Sequence, residues 1–344
     1  MTGNAAWGFS SRQGALPTVS VVITTRNRRD DLCRALESVL RQTFPSEIVV
    51  MDDASEDGTA ACIRGRYPHV RVIRSEARLG LVVQRNRAAA AARGMIVFSL
   101  DDDAVFVEPD TVARVVPLFA HPRVGAVAMP IVNVVDGRRN PLWNPVLPEP
   151  GFWIAPVYQG GAHAVRRDLF LELGGYEEAL FQWGEEDSYC RKLYANGYVV
   201  RVAECGVTEH YPNPAGRHER AKNVWIYRNA ILNVWFSAPG LLVPALWLFE
   251  SLRWLYSGVR NPRSLPVVLE GLARGFWWSM THPAKRSPLC VRDYMFSLRL
   301  RASKVKRLDE EEAPRGSSGL LTDPRAAHGG GTLPMAVFKG KRKK

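Results

Sequence analysis

The sequence predicts a doubly wound, mostly parallel α/β sheet with a C-terminal helical extension. Three observations carry that prediction. Between residues 17 and 103, four short apolar runs alternate with three segments of helical period. Polar clusters close the apolar runs, as at the carboxyl ends of parallel strands. Beyond residue 230 the pattern changes to long apolar stretches rich in Trp and Leu, interrupted by Pro, Gly and charge.

Each element follows from its residues. "VSVVITT" (19–25) is apolar or β-branched almost throughout, as a strand buried on both faces requires. Leu32, Ala35, Leu36, Val39 and Leu40 then recur at helical spacing behind Asp30 and Asp31, acids suited to a helix N-terminus. "EIVVMDDAS" reads as a second strand running into a polar turn, "GTAACIRGRY" as a helix and "VRVIR" as a short strand. "LVVQRNRAAAAARG" is an alanine-rich helix stopped by Gly94, and "MIVFSL" is the fourth strand.

Composition bounds the rest. A chain of 344 residues with 46% hydrophobic and 10% aromatic content is globular and exceeds one compact unit. Residues 1–16 carry little pattern and read as a loose arm. Cys33, Cys62, Cys190, Cys205 and Cys290 have neither zinc nor disulfide-framework spacing, which suggests reduced thiols in the cytoplasm. The first twenty residues lack a basic segment followed by an apolar core, so no secretory signal is read there. The net charge of +12 is concentrated: from residue 259 onward there are 18 Lys/Arg against 7 Asp/Glu. The stretch 301–344, ending in "KGKRKK", reads as a disordered basic tail.

"TTRNRRDD", "DDASEDGT" and "DDDAV" all fall on the strand-end rim where sheets of this class bind ligands. The third cluster is the most informative. Asp101, Asp102 and Asp103 follow a buried strand, where adjacent carboxylates repel and desolvation is costly. Either they sit in a solvated turn, or a cation gathers them.

Six stretches in order, "VSVVITTRNR", "IVVMDDASEDGT", "QRNRAAAAARG", "VFSLDDDAV", "GGAHAVRRDLFLELGGYEE" and "WGEEDSYCRKL", resemble the motifs of family 2 glycosyltransferases. The resemblance covers about residues 17–230 and implies the Rossmann-like GT-A fold, divided into a nucleotide-binding half (17–103) and an acceptor half (104–230). It implies transfer of a sugar from a nucleotide-sugar, usually with inversion, assisted by Mg²⁺ or Mn²⁺. The triple Asp is similar to the family's DxD motif, which makes Asp103 and Asp101 metal ligands and gives Asp101 or Asp102 a contact with ribose or a metal-bound water. Asp52 braces its turn, and Asp53 reaches the base, since a carboxylate accepts the imide N–H of uracil or thymine. UDP- or dTDP-sugars are therefore favoured. The same likeness places Thr24, Arg26 and Arg85 beside the donor. A solvated helix charge is the competing account of Arg85.

In "WGEEDSYCRKL" the resemblance puts the catalytic base at a helix N-terminus, where negative charge is favourable. The family usually has one Glu-Asp pair, whereas this chain has Glu185, Glu186 and Asp187. Asp187 is favoured and Glu186 is the alternative. Gly160 and Gly161 permit close backbone approach at the sugar pocket. His163 is either a sugar contact or a satisfied structural histidine. His210 is similar to a third metal ligand or diphosphate contact, and Arg217 lies in a Pro/Gly-rich loop suited to closing over the diphosphate. "NPLWNPVLPEPGFWIAP" (140–156) is a loop suited to shaping the acceptor site, with the acceptor hydroxyl on a glycan, a lipid-linked saccharide or a small molecule.

Two other functions fit less well. A nucleotidyltransferase would open on a glycine-rich phosphate loop, and "ITTRNRRDD" has no glycine. A nucleic-acid partner is not expected, because the positive charge lies in a tail and no aromatic-basic RNA-binding motif occurs. Residues 231–300 hold five of the ten tryptophans, and Pro239, Gly240, Pro244, Glu250 and Arg253 break the apolar run from Ile231 to Tyr256. That pattern suits interfacial helices better than a membrane span. Two readings stay open: helices that simply cover the catalytic domain, or helices that meet an anionic membrane surface, with the enzyme peripheral on its inner face.

Overall fold

The computed structural model describes residues 17–212, 219–303 and 305–308. Its first part runs β1 (Val19–Thr25), α1 (Arg29–Leu40), β2 (Glu47–Asp52), α2 (Thr59–Arg66), β3 (Arg71–Arg74), α3 (Leu81–Ala91) and β4 (Ile96–Asp101), the alternation read from the sequence. There follow β5 (Ala104–Phe106), α4 (Thr111–Val115), β6 (Val124–Ala128), β7 (Ile131–Val135), β8 (Arg138–Trp143), β9 (Trp153–Ile154), β10 (Ala162–Arg166) and α5 (Arg167–Glu172). Then come α6 (Glu185–Ala195), β11 (Val199–Val202), β12 (Thr208–His210) and the helices α7 (Glu219–Ser237), α8 (Val243–Arg260), α9 (Leu265–Thr281) and α10 (Val291–Ser303). The short β13 (Lys306–Arg307) is the last described element.

The main sheet has the order β13-β9-β11-β6-β10-β4-β1-β2-β3. β1 is flanked by β2 and β4, both parallel to it, and every one of its residues is buried. Its apolar run is what a central parallel strand covered by helices on both faces needs. The registers Thr25↔Asp52 and Thr24↔Asp101 end three strands at one level, so their polar turns meet on one rim. β10 enters antiparallel between β4 and β6.

A smaller sheet, β5-β12-β7-β8, stands beside that rim. The β7–β8 hairpin turns through Asp136 and Gly137, both at positive φ (50° and 72°), the pair of signs a tight two-residue hairpin demands. The stretch read as an acceptor loop thus carries parts of β8 and β9.

The domain edges differ from the sequence reading in two places. The boundary at 230/231 falls inside α7, a single helix that belongs to both regions. The chain after residue 300 does not simply leave the body, because β13 pairs antiparallel with β9 at the edge of the main sheet. The rest of the basic tail and the N-terminal arm lie outside the described residues. α9 packs along α7, with Gly271 and Gly275 one turn apart at the contact. A Cβ on either would lie 2.6 Å from Tyr227 Cβ or 2.8 Å from Ile231 Cβ, respectively. Only glycine allows that approach.

Candidate active site

The three like charges at the end of β4 are each met by a guanidinium, Arg85 for Asp101 and Arg28 for both Asp102 and Asp103. Asp101 accepts from Arg85 (2.6 Å). Asp102 accepts from Thr25 Oγ1 (2.8 Å) and Arg28 Nη1 (3.1 Å). Asp103, almost wholly buried, takes Arg28 Nη1 on Oδ2 (2.7 Å) and faces His210 Nε2 from Oδ1 (3.0 Å). Burial pushes the Asp102 carboxyl up to about 7, and neighbouring Asp103 adds to the rise against the opposing charge of Arg28.

Sheet register delivers His210. β12 sets it opposite Ala104 on one side and Asn133 on the other, hence beside the aspartate turn. Its Nδ1 lies 2.7 Å from Asn133 Oδ1, so the N–H is donated there and Nε2 points toward Asp103. Candidate ligand atoms of Asp101, Asp103 and His210 all fall within 4.8 Å of one another.

A cavity of about 640 Å³ opens on this rim. Thr24, Arg26, Asp53, Asp101 and Asp102, all singled out in the sequence, line it. Arg28, Arg78, Lys222, Trp183 and the stacked pair Phe181–Trp225 (centroids 4.9 Å apart) complete the wall, and sequence reasoning had not found these. Asp52 braces its turn by accepting from Ser55 N (2.8 Å). Asp53 also holds the backbone in place, accepting from Leu79 N (2.7 Å), Gly80 N (3.0 Å) and Gln84 Nε2 (2.7 Å).

The structure gives the surroundings of four positions whose roles the sequence left open. Arg85 is buried rather than turned to the cavity, and besides Asp101 it binds Glu185 (2.8 Å), Gly160 O (2.9 Å) and Glu186 (3.5 Å). It is a strut between the aspartate turn and α6. His163 is a core histidine: Nδ1 donates to Gln159 O (3.2 Å), Nε2 accepts from Tyr176 OH (2.9 Å), and the ring stacks on Tyr158. Burial, with Arg85 nearby, lowers its pKa to about 3 and keeps it neutral. Gly161 gives close approach to Ile131, whose Cδ1 would lie 2.8 Å from an added Cβ, while its carbonyl accepts from Asp101 N (3.0 Å). A Cβ on neighbouring Gly160 would collide with Glu186.

The fourth position concerns the two candidates for the base, Asp187 and Glu186. Asp187 is held between Arg191 (2.8 Å) and Arg301 (3.2 Å), on the side of α6 that meets α10. Consecutive helical residues point about 100° apart, so Glu186 is turned from Asp187 toward Arg85 and thus toward Asp101. Burial, then the charge of Glu185, pushes the Glu186 carboxyl well above its usual range, and Arg85 only partly opposes this. Arg217 and the 140–156 stretch do not enter the site as seen: Arg217 lies outside the described residues, and no residue of 140–156 lines the cavity.

α6 is approached through a strained segment, with Phe181, Trp183 and Gly184 at φ of 61°, 65° and 90°. α7 braces it. Arg228 donates to Ala179 O (2.8 Å), and Asn233 to Gly184 O (3.1 Å). Asn229 Nδ2 lies within hydrogen-bond distance of the carbonyls of Leu180 (2.8 Å), Gln182 (2.8 Å) and Trp183 (2.7 Å), which share its two N–H groups. We expect Asn229→Ala to cost about 2 kcal/mol, the usual penalty for leaving buried acceptors unsatisfied. Urea denaturation measures this, and an unchanged midpoint would show that the carbonyls do not depend on Asn229.

Comparison with known proteins fits this geometry. Residues 20–174 match the family described as Glycosyl transferase family 2. Through this segment the chain is similar to glycosyl transferase family 2. An N-acetylgalactosaminyltransferase 4 of Drosophila melanogaster is 26% identical over 260 residues, 61% of this chain and 40% of that protein. The chain thus spans well under half of that relative's length. The crystal structure of GalNAc-T7 with UDP, GalNAc and Mn²⁺ superposes with a TM-score of 0.55 at 22% identity, over 79% of this chain and 57% of the other. A mannosyltransferase from Pyrobaculum calidifontis, in complex with GDP-Man and Mn²⁺, gives 0.50 at 23% identity, over 84% of this chain and 80% of the other. The chain has the GT-A fold.

Proposed function

We propose that the protein is a metal-dependent, inverting glycosyltransferase that moves a sugar from a nucleoside-diphosphate sugar to an acceptor hydroxyl. One observation carries the proposal: the Asp101–Asp103–His210 group adjoins a cavity whose wall holds Arg26, Arg28, Arg78 and Lys222. Two carboxylates and an imidazole suit Mg²⁺ or Mn²⁺, and Asn133 gives His210 the outer hydrogen bond that orients a ligating imidazole. When bound, the ion neutralises charge on the diphosphate leaving group.

The chain's own residues have distinct parts. Arg26 Nε is buried with no hydrogen-bond partner among the described residues, a donor suited to an anionic ligand. Asp53 uses three acceptor positions internally, and a carboxylate offers about four, so one remains for the imide N–H of a uracil or thymine base. That favours UDP- and dTDP-sugars. The UDP and GDP-Man bound to the two solved structures support a nucleotide-sugar donor. Glu186 removes the proton of the attacking hydroxyl, on a glycan, a lipid-linked saccharide or a small molecule, from the face opposite the leaving group. Thermal-shift screening of UDP-, dTDP- and GDP-sugars with and without Mn²⁺ tests the assignment. Stabilisation by a UDP- or dTDP-sugar only with metal is expected; no stabilisation by any of them refutes the reading.

A further inference from the structure

Beyond the transfer site, α8 and α9 present apolar side chains on a face that nothing in the described structure covers. On α8, Leu248, Phe249, Leu252, Tyr256 and Val259 are each more than half exposed. At about 100° per residue, they fall within an arc of roughly 100° and form one stripe. α9 adds Leu269, Trp277 and Met280, also more than half exposed. The opposite faces are already used, since Trp247, Trp254 and Leu255 pack with Tyr227, Ile231 and Leu272. The outward stripe therefore has no part in holding the helices on the body.

The charge around it indicates what it meets. From Val243 to Ser303 there are nine Lys/Arg and three Asp/Glu. Exposed Arg260, Arg263 and Lys285 lie at the ends of the two helices, with Arg260 over the Tyr256 ring. No helix of the described residues is long and apolar enough to cross a membrane. We propose that the α8–α9 hairpin docks the protein on an anionic lipid surface, with its apolar stripe at the headgroup–acyl boundary and its cations among the phosphates. An apolar face of Leu, Phe and Trp with basic flanks is the composition of interfacial helices. A protein partner would have to match the stripe in shape, whereas a bilayer requires only apolar depth and cationic flanks.

The test uses the full chain and sucrose-loaded vesicles of phosphatidylcholine with or without phosphatidylglycerol. Expected is sedimentation with anionic vesicles, weak binding to neutral ones and release as salt rises. The paired exposed changes Phe249→Glu and Leu252→Glu should lower anionic-vesicle affinity by about tenfold or more. They should leave the melting temperature and nucleotide binding unchanged. Equal vesicle binding by wild type and the pair would place any attraction in other basic segments and overturn the proposal. So would a concentration-dependent dimer in sedimentation velocity that the pair abolishes, because the stripe would then be covered by a second copy. Failure of sugar transfer alone would not bear on it.

Discussion

Asp103→Ala is expected to abolish transfer and to remove the metal dependence of nucleotide binding. Asp103 is the most enclosed of the three β4-end aspartates, and it alone touches both Arg28 and His210. Without it, Asp101 and His210 provide too few ligands to hold a hard cation against water. Loss of the charge that stabilises a departing diphosphate should cost several kcal/mol, or about a thousandfold or more in rate. The fold should tolerate the change, since Asp102 still pairs with Arg28 and removing one of three adjacent carboxylates relieves repulsion. Circular dichroism checks the fold, and nucleotide titration with Mn²⁺ or EDTA checks the metal. Near-normal transfer by the variant in EDTA would end the metal assignment.

Much of this site was legible because its parts sit where strands end. The period of β1, β2 and β4 fixed three polar turns on one rim, and Thr24, Arg26, Asp53, Asp101 and Asp102 all reached the cavity. Long-range packing was not legible. Arg85 lies on a helix whose sequence places it near the donor, but nothing local indicates that α6 brings Glu185 and Glu186 to its guanidinium. His163 was ambiguous for the same reason: only the folded chain stacks Tyr158 on it and sets Tyr176 against Nε2. One signal was available and missed. In "YRNAILN", Arg228, Asn229 and Asn233 interrupt an apolar helix, and buried polar residues there require partners. Those partners are the carbonyls leading into the helix that carries Glu185, Glu186 and Asp187.

The choice of base gives the second large effect. Glu186→Gln should keep nucleotide binding and lower turnover by about a hundredfold or more, the usual loss when a general base is removed. Gln preserves shape and hydrogen bonding while deleting basicity. Asp187→Asn should remain active, because the Asp187 carboxylate is committed to Arg191 and Arg301. It should instead lose stability where α6 meets α10. The pH profile gives an independent readout. Burial and the neighbouring Glu185 raise the Glu186 pKa, and only the ionised form accepts a proton. Turnover in the wild type should therefore rise with pH through a limb above the ordinary glutamate value of about 4.3. Glu186→Gln should lose that limb, a change that loosened packing alone would not produce. The reverse pattern, a dead Asp187→Asn and an active Glu186→Gln, would return the role to Asp187. A base that activates the acceptor for direct attack from the face opposite the leaving group also predicts the product anomer. NMR should find it inverted relative to the donor, and retention would rule out single displacement with either residue as base.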